Sequence, residues 1–337
     1  MTNAPLISIC VPTYNRPIYL EHALRSCLAQ TCQDFEIIVT DNSTNDVSEW
    51  MIQKLNDPRI RYFKNEKNLG PCGNTNRATS LARGRYIKFL MDDDLLRSQC
   101  LEKMVEALEK NPTAGVAMAP MDIIDENGVC FFPRFYVFRK MFYRYRYQIG
   151  DGLIEKRKIL KDFLTRDYPC TVPSGIMIRA ECFQRFGLFD EEADFAGDLD
   201  KVMQIATEYD FYYIDQVLSS WRLMTNNHTA SLHQSGLKIT AFYYITRKIL
   251  YQTKALELFP VGEREKIIRD SFFFCSCRAL LNILAGFRAR SPKLILDTFE
   301  TILKEDGRLW NILRLPVFVI REIWVSIFPP KLPLPRE

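Results

Sequence analysis

Through residues 6–90 the chain alternates short apolar runs with stretches of helical period, and this alternation limits its fold more than any other feature. Residues 6–11 (Leu-Ile-Ser-Ile-Cys-Val) form a β-rich run that stops at Pro12, after which Leu20, Leu24, Cys27 and Leu28 recur at helical spacing. A second strand is expected over 35–40 and a helix around 50–55. A third strand follows over 60–64, a turn at Asn68-Leu69-Gly70-Pro71, a helix over 74–82 and a strand over 85–90. Strands and helices in this succession imply parallel βαβ units, whose ligands gather beyond the carboxyl ends of the strands.

Three polar elements stand at such ends: Pro12-Thr13-Tyr14-Asn15-Arg16, Asp41-Asn42 and Asp92-Asp93-Asp94. The last is the most telling. Adjacent carboxylates repel one another and raise each other's pKa, a problem that a hard divalent cation removes. Mg²⁺ takes one or two protein carboxylates and fills its shell with water and substrate phosphates. The cluster therefore reads either as a metal site for a phosphate ester or as an acidic turn opening a helix at Leu101. A nucleotide suits the whole set, because Asp41 can accept from a base N–H or a ribose hydroxyl and Tyr14 can offer a ring face or its hydroxyl. Neither a GxxxxGK[ST] nor a GxGxxG run is present, which disfavours kinase and dinucleotide readings.

With 337 residues and 47% hydrophobic content the chain can bury a sizeable core. A net charge of +4 without long basic runs makes nucleic acid an unexpected partner. Ten cysteines lie mostly apart, without a zinc spacing, and suit a reducing cytoplasm. The amino terminus lacks signal-peptide character, and Arg321-Glu322 interrupt the most apolar late stretch, so no spanning helix is expected.

Further along, a helix carries Met104, Val105 and Leu108, a strand follows over 115–119, and residues 131–147 interleave aromatic with basic side chains. That segment reads as packing, or as a surface for an anionic or sugar-bearing acceptor. Residues 170–190 read as a strand and turn packed back on the first half. Gly197-Asp198-Leu199-Asp200 then heads a helix, where Asp198 alone would be an ordinary cap.

Taken together, these pieces resemble the inverting nucleotide-sugar glycosyltransferases of family 2. The matching runs are 8–16, 35–43, Asn68-Leu69-Gly70 with Asn76, Gly84-Arg85-Tyr86-Ile87 leading to Asp92-Asp93-Asp94, and Gly197-Asp198. The resemblance implies an α/β GT-A fold, with a Rossmann-like, mostly parallel sheet flanked by helices over residues 1–234. Its nucleotide-binding half would span about 1–120 and its acceptor half 121–234, followed by a helical carboxyl-terminal extension over 235–337. It places Pro12, Thr13, Tyr14, Asn15, Arg16, Asp41, Asn42, Asn76 and Asp92 at the nucleotide, and Asp93 and Asp94 at Mn²⁺ or Mg²⁺. Asp198 falls where the family keeps its catalytic base. Met91 stands where the family usually has its first acidic residue. Trp221-Arg222-Leu223-Met224 matches a segment near the diphosphate, with Met224 in place of a frequent histidine and His228 read as a polar loop residue.

The implied reaction moves a sugar, with a UDP-sugar as expected donor and a dTDP-sugar as the alternative, to a hydroxyl of a glycan or lipid-linked acceptor. Metal-dependent phosphohydrolase activity and a non-catalytic nucleotide-sugar binding module are the rival readings. The four helices expected after residue 235, over 237–254, 263–287, 291–305 and 309–328, pack onto the transferase body or each other, and could form a homo-oligomer. The last of them, over 309–328, mixes tryptophans, phenylalanines and arginines in a way that also fits peripheral contact with the inner face of the cell membrane.

Overall fold

The computed structural model describes residues 4–130, 150–165, 173–224 and 239–288. The expected alternation is present as β1 (Ile7–Thr13), α1 (Pro17–Leu28), β2 (Phe35–Asp41), α2 (Val47–Leu55), β3 (Ile60–Lys64), α3 (Gly70–Ser80) and β4 (Tyr86–Phe89). Next come β5 (Leu95–Leu96), α4 (Cys100–Lys110), β6 (Ala114–Met118), β7 (Met121–Ile124), β8 (Gly152–Ile154) and α5 (Lys156–Thr165). The remainder is β9 (Ile176–Arg179), α6 (Ala180–Phe186), α7 (Gly197–Ile205), β10 (Asp210–Tyr213), β11 (Ser219–Arg222), α8 (Ile239–Gln252) and α9 (Val261–Arg288).

β1 pairs in parallel with both β2 and β4, and β2 with β3. The chain therefore runs outward from β1 to β3, then crosses back to β4 on the other side of β1. That reversal makes the β1–β4 seam a topological switch point, where the loops leaving two adjacent strands diverge and open a crevice. The full sheet has the order β3-β2-β1-β4-β9-β6-β10-β8. The strand expected to pack back on the first half does so by insertion: β9 lies antiparallel between β4 and β6. A smaller sheet joins β5, β11 and β7.

Side-chain alternation assigns the two faces. Ile7, Ile9 and Val11 of β1 join Ile37 and Val39 of β2 in a core shared with Leu20 and Leu24 of α1 and Met104 and Leu108 of α4. Cys10 and Ile38 point the other way, toward Ala78 of α3. Full burial of Leu20 or Leu24 stabilises the α1 docking by about 1.5–3 kcal/mol each. The second core continues without a break into Ile245 and Ile249 of α8 and Ile267 of α9, so the described helices beyond residue 235 share the core of the sheet.

The acidic residues do not open a helix. Between them and the helix, residues 95–96 of β5 pair with β11, and α4 starts at Cys100, one residue from the expected Leu101. Among the described residues, no helix is long and apolar enough to cross a membrane. Residues 131–147, His228 and the helices expected over 291–305 and 309–328 lie outside the described residues.

Candidate active site

The loop leaving β1 and the turn leaving β4 meet at the switch point. Thr13 donates its hydroxyl to Asp92 Oδ2 at 2.7 Å, and the Tyr14 N–H reaches the same oxygen at 3.3 Å. Arg16 approaches Asp92 Oδ1 at 3.4 Å and Asp93 Oδ2 at 2.9 Å. Asn15 turns the loop through the left-handed region at φ 54°, a conformation that asparagine tolerates better than most residues. Its N–H donates to Ser43 Oγ at 2.7 Å, tying the loop to the end of β2. Pro17 then starts α1 with a fixed φ and no orphan donor. Tyr14 remains 47% exposed, free to offer its ring to a ligand.

A second set of bonds holds the acidic turn from the opposite side. Arg222, almost fully buried, donates its backbone N–H to Asp94 Oδ1 at 3.0 Å and its Nε to the Asp93 carbonyl at 2.9 Å. Its Nη1 reaches the carbonyls of Asp125 at 2.8 Å and Glu126 at 3.0 Å. Ser174 accepts the Met91 N–H at 3.0 Å and hydrogen-bonds Asp94. Beneath it, fully buried Lys88 donates to the Ser174 and Ile176 carbonyls at 2.5 and 3.1 Å.

Burial raises the pKa of all three carboxylates, and the charge of Asp93 raises those of Asp92 and Asp94 further. Such a trio is short of positive charge and offers hard oxygen donors, which suits a divalent cation. Protein hydrogen bonds engage both oxygens of Asp92 and constrain Asp94, whereas Asp93, ion-paired to Arg16 through Oδ2, is the most exposed of the three and the most available ligand. No cluster of three or more acidic, histidine or cysteine side chains with metal-binding geometry occurs among the described residues. A cation held here would thus take one or two carboxylates, with phosphate and water completing its shell.

At the end of β2, Asp41 is fully buried and accepts from the Ser43 N–H at 2.7 Å and the Tyr62 hydroxyl at 2.9 Å. Asn42 accepts from Leu69 N–H and Asn65, and donates to the Gly70 carbonyl at 3.2 Å, which anchors the entry to α3. The reading of residue types overlooked Asn74. Its amide donates to the carbonyls of Thr13 at 3.2 Å and Thr40 at 3.0 Å, bridging the ends of β1 and β2. The available signal was a polar residue four positions before buried Ala78 on the same helix face.

Asn76, expected at the nucleotide, has a competing use. Its amide donates to the Phe189 carbonyl at 2.9 Å and accepts the Phe189 N–H at 2.8 Å. Phe189 packs edge-on against Phe89 of β4 with centroids 5.3 Å apart. This clamp brings the segment before α7 onto the sheet. Asp198, half-buried in the first turn of α7, accepts the Leu199 N–H at 2.7 Å, and burial raises its pKa to about 6. Its neighbour Leu199 and Met91 of the acidic turn pack against the same hydrophobic core. Among the described residues, the hydrogen bond of the Asp198 carboxylate is to the Leu199 N–H and not to the acidic turn.

Solved structures share this architecture. The mannosyltransferase PcManGT of Pyrobaculum calidifontis, in complex with GDP-Man and Mn²⁺, aligns over 98% of this chain and 89% of its own with a TM-score of 0.58 at 17% identity. TarS of S. aureus, in complex with UDP-GlcNAc, aligns over 88% and 91% with a TM-score of 0.55 at 16% identity. The fold is therefore that of the GT-A glycosyltransferases.

In sequence, the pattern of Glycosyl transferase family 2 matches residues 8–186, and the chain belongs to that family. An uncharacterised glycosyltransferase of Methanocaldococcus jannaschii is 30% identical over 259 residues, covering 74% of this chain and 81% of the relative. The GalNAc(5)-diNAcBac-PP-undecaprenol beta-1,3-glucosyltransferase of Campylobacter jejuni is 40% identical over 105 residues, covering 30% of this chain and 34% of that protein. The protein is a glycosyltransferase.

Proposed function

We propose that the chain is an inverting, metal-assisted transferase that moves a sugar from a nucleoside diphosphate, with UDP the first candidate, to a hydroxyl of a glycan or lipid-linked acceptor. The observation that carries this reading is the direct bonding of Asp92 and Asp93 to the Thr13-to-Arg16 loop at the switch point. Sites of this kind receive phosphorylated ligands, and here they carry surplus carboxylate charge. Mn²⁺ or Mg²⁺, held by Asp93 with help from Asp94, would offset negative charge on the departing diphosphate.

Pro12, Thr13, Tyr14, Asn15, Asp41 and Asn42 would line the nucleoside, with Asp92 holding their loop in place. Arg16 would turn from the carboxylates toward the diphosphate. Asp198 would accept the acceptor's proton as its oxygen attacks the anomeric carbon from the face opposite the leaving group. A pKa near 6 leaves this carboxylate ionised at neutral pH and still basic enough for that task. The Campylobacter relative, named for a diphosphate-linked undecaprenol acceptor, supports a lipid-linked substrate.

The test is nucleoside-diphosphate release from UDP-, dTDP- and GDP-sugars with Mn²⁺, with Mg²⁺ and with chelator, in the presence and absence of an acceptor extract. Metal-dependent release stimulated by acceptor supports transfer. Phosphate release, or nucleotide binding without turnover, would favour the phosphohydrolase or the binding module instead.

A further inference from the structure

Lys248 of α8 sits between two carboxylates of the segment that carries Asp198. Its Nζ lies 2.6 Å from Asp190 Oδ2 and 2.8 Å from Asp200 Oδ2. Tyr244, one turn earlier, donates its hydroxyl to the same Asp190 oxygen at 2.7 Å. Asp190 precedes the 3₁₀ turn Glu191–Ala196 and Asp200 belongs to α7, so the two anchors bracket Asp198 along the chain. Between them, Gly197 lies against the same segment and α3: an added Cβ would come within ordinary contact of the Asp190 carbonyl at 3.4 Å and of Cys72 Sγ at 3.5 Å.

Adhesion of α8 does not need this charge. Phe242, Tyr243, Ile245, Ile249 and Leu250 already bury that helix against the body. Asp200, by contrast, is fully buried, and its Oδ1 has no hydrogen-bond partner. Gln204 shares its Oδ2 at 2.5 Å, while Lys201 spends its ammonium on the Phe186 carbonyl and Gln204 Oε1. Lys248 is thus the cation that hydrogen-bonds Asp200, and a buried carboxylate deprived of its cation is strongly destabilised. An ammonium gripping two points fixes the angle of the segment between them as well as its attachment.

We propose that Lys248 is a positioning residue: by clamping Asp190 to Asp200 it sets the orientation of Asp198 toward the acceptor hydroxyl. The proposal rests on Asp198 being the general base. It also makes α8 part of the catalytic apparatus.

Three variants test it in the full chain: Lys248→Met, Lys248→Arg and the milder Tyr244→Phe. Lys248→Met should lower acceptor-dependent UDP release from a UDP-sugar by about 10²-fold, the scale of a misplaced catalytic group. Its affinity for UDP with Mn²⁺ should stay within about twofold, because the acidic turn is untouched. Amide hydrogen exchange should accelerate over residues 190–200 and not in β1–β4. Lys248→Arg should restore most of the rate and protection, and Tyr244→Phe should show a smaller loss of the same kind. Wild-type turnover in Lys248→Met would overturn the proposal. So would a parallel loss of UDP binding and of protection across the sheet that arginine does not restore. A wild-type protein without turnover on any donor would instead contradict the proposed function, and the exchange pattern would still decide whether Lys248 holds the segment.

Discussion

The guanidinium of Arg16 lies 2.9 Å from the carboxylate of Asp93, the residue best placed to take a metal, and reaches Asp92 at 3.4 Å. Arg16 therefore offsets the charge of the acidic turn from the side of the β1 loop, as Arg222 does from the other side. Arg16 and a divalent ion would compete for the same carboxylate edge until a diphosphate draws the guanidinium away.

Arg16→Gln separates these two uses. The pair is about a quarter exposed at the arginine, so the variant should bind Mn²⁺ alone roughly two- to fivefold more tightly. The same variant should bind UDP with Mn²⁺ more weakly. Calorimetric titration of each ligand checks both directions, and unchanged Mn²⁺ affinity would show that the guanidinium does not guard the metal site.

Asp198 should impose a pH dependence on turnover. Its buried carboxyl titrates at about 6, so the rate should rise with pH through that value and level off above it. Stability should move the other way. The native state holds this proton more tightly than the unfolded chain, whose aspartates titrate near 3.8, so stability is lost as pH rises from about 4 through about 6. Asp198→Asn should therefore melt above wild type at pH 8 and lose that advantage near pH 4. A melting difference independent of pH would contradict the burial argument.

Asn76 offers a choice between two uses of one amide. Asn76→Ala would leave the Phe189 N–H and carbonyl without their partner, and should cost about 1–3 kcal/mol in urea unfolding. UDP affinity should change little in comparison. The reverse pattern, with intact stability and lost UDP binding, would place Asn76 at the nucleotide.

The frame of the site was legible because β1 to β4 are apolar runs closed by Pro, Gly, Asn or Asp, and each period matched its element. Of the later strands, β6 and the one within 170–190 were legible, but β7, β8, β10 and β11, of three or four residues each, were not, and tertiary pairing alone decides that β9 enters antiparallel between β4 and β6. Polar residues that build the site from below were equally hidden. Lys88 sits in an apolar strand run that gives no local clue to its partners, two carbonyls about ninety residues away. Arg222 stood out beside Trp221, but its carbonyl partners lie near positions 93 and 125, a proximity created only by folding. Asp93 stood out as part of a carboxylate run at a strand end, whereas Asp198 alone read as an ordinary helix cap and was singled out only through the family resemblance.

Transfer rate and nucleotide affinity of Asp198→Asn, measured side by side, test the central claim most directly. Acceptor-dependent release of nucleoside diphosphate should fall by about 10²- to 10⁴-fold, the usual contribution of a general base. UDP with Mn²⁺ should bind within about twofold of wild type, because the residues proposed to hold it lie at the β1–β4 seam. Near-normal turnover in this variant would contradict the assignment of the base and, with it, the proposed mechanism.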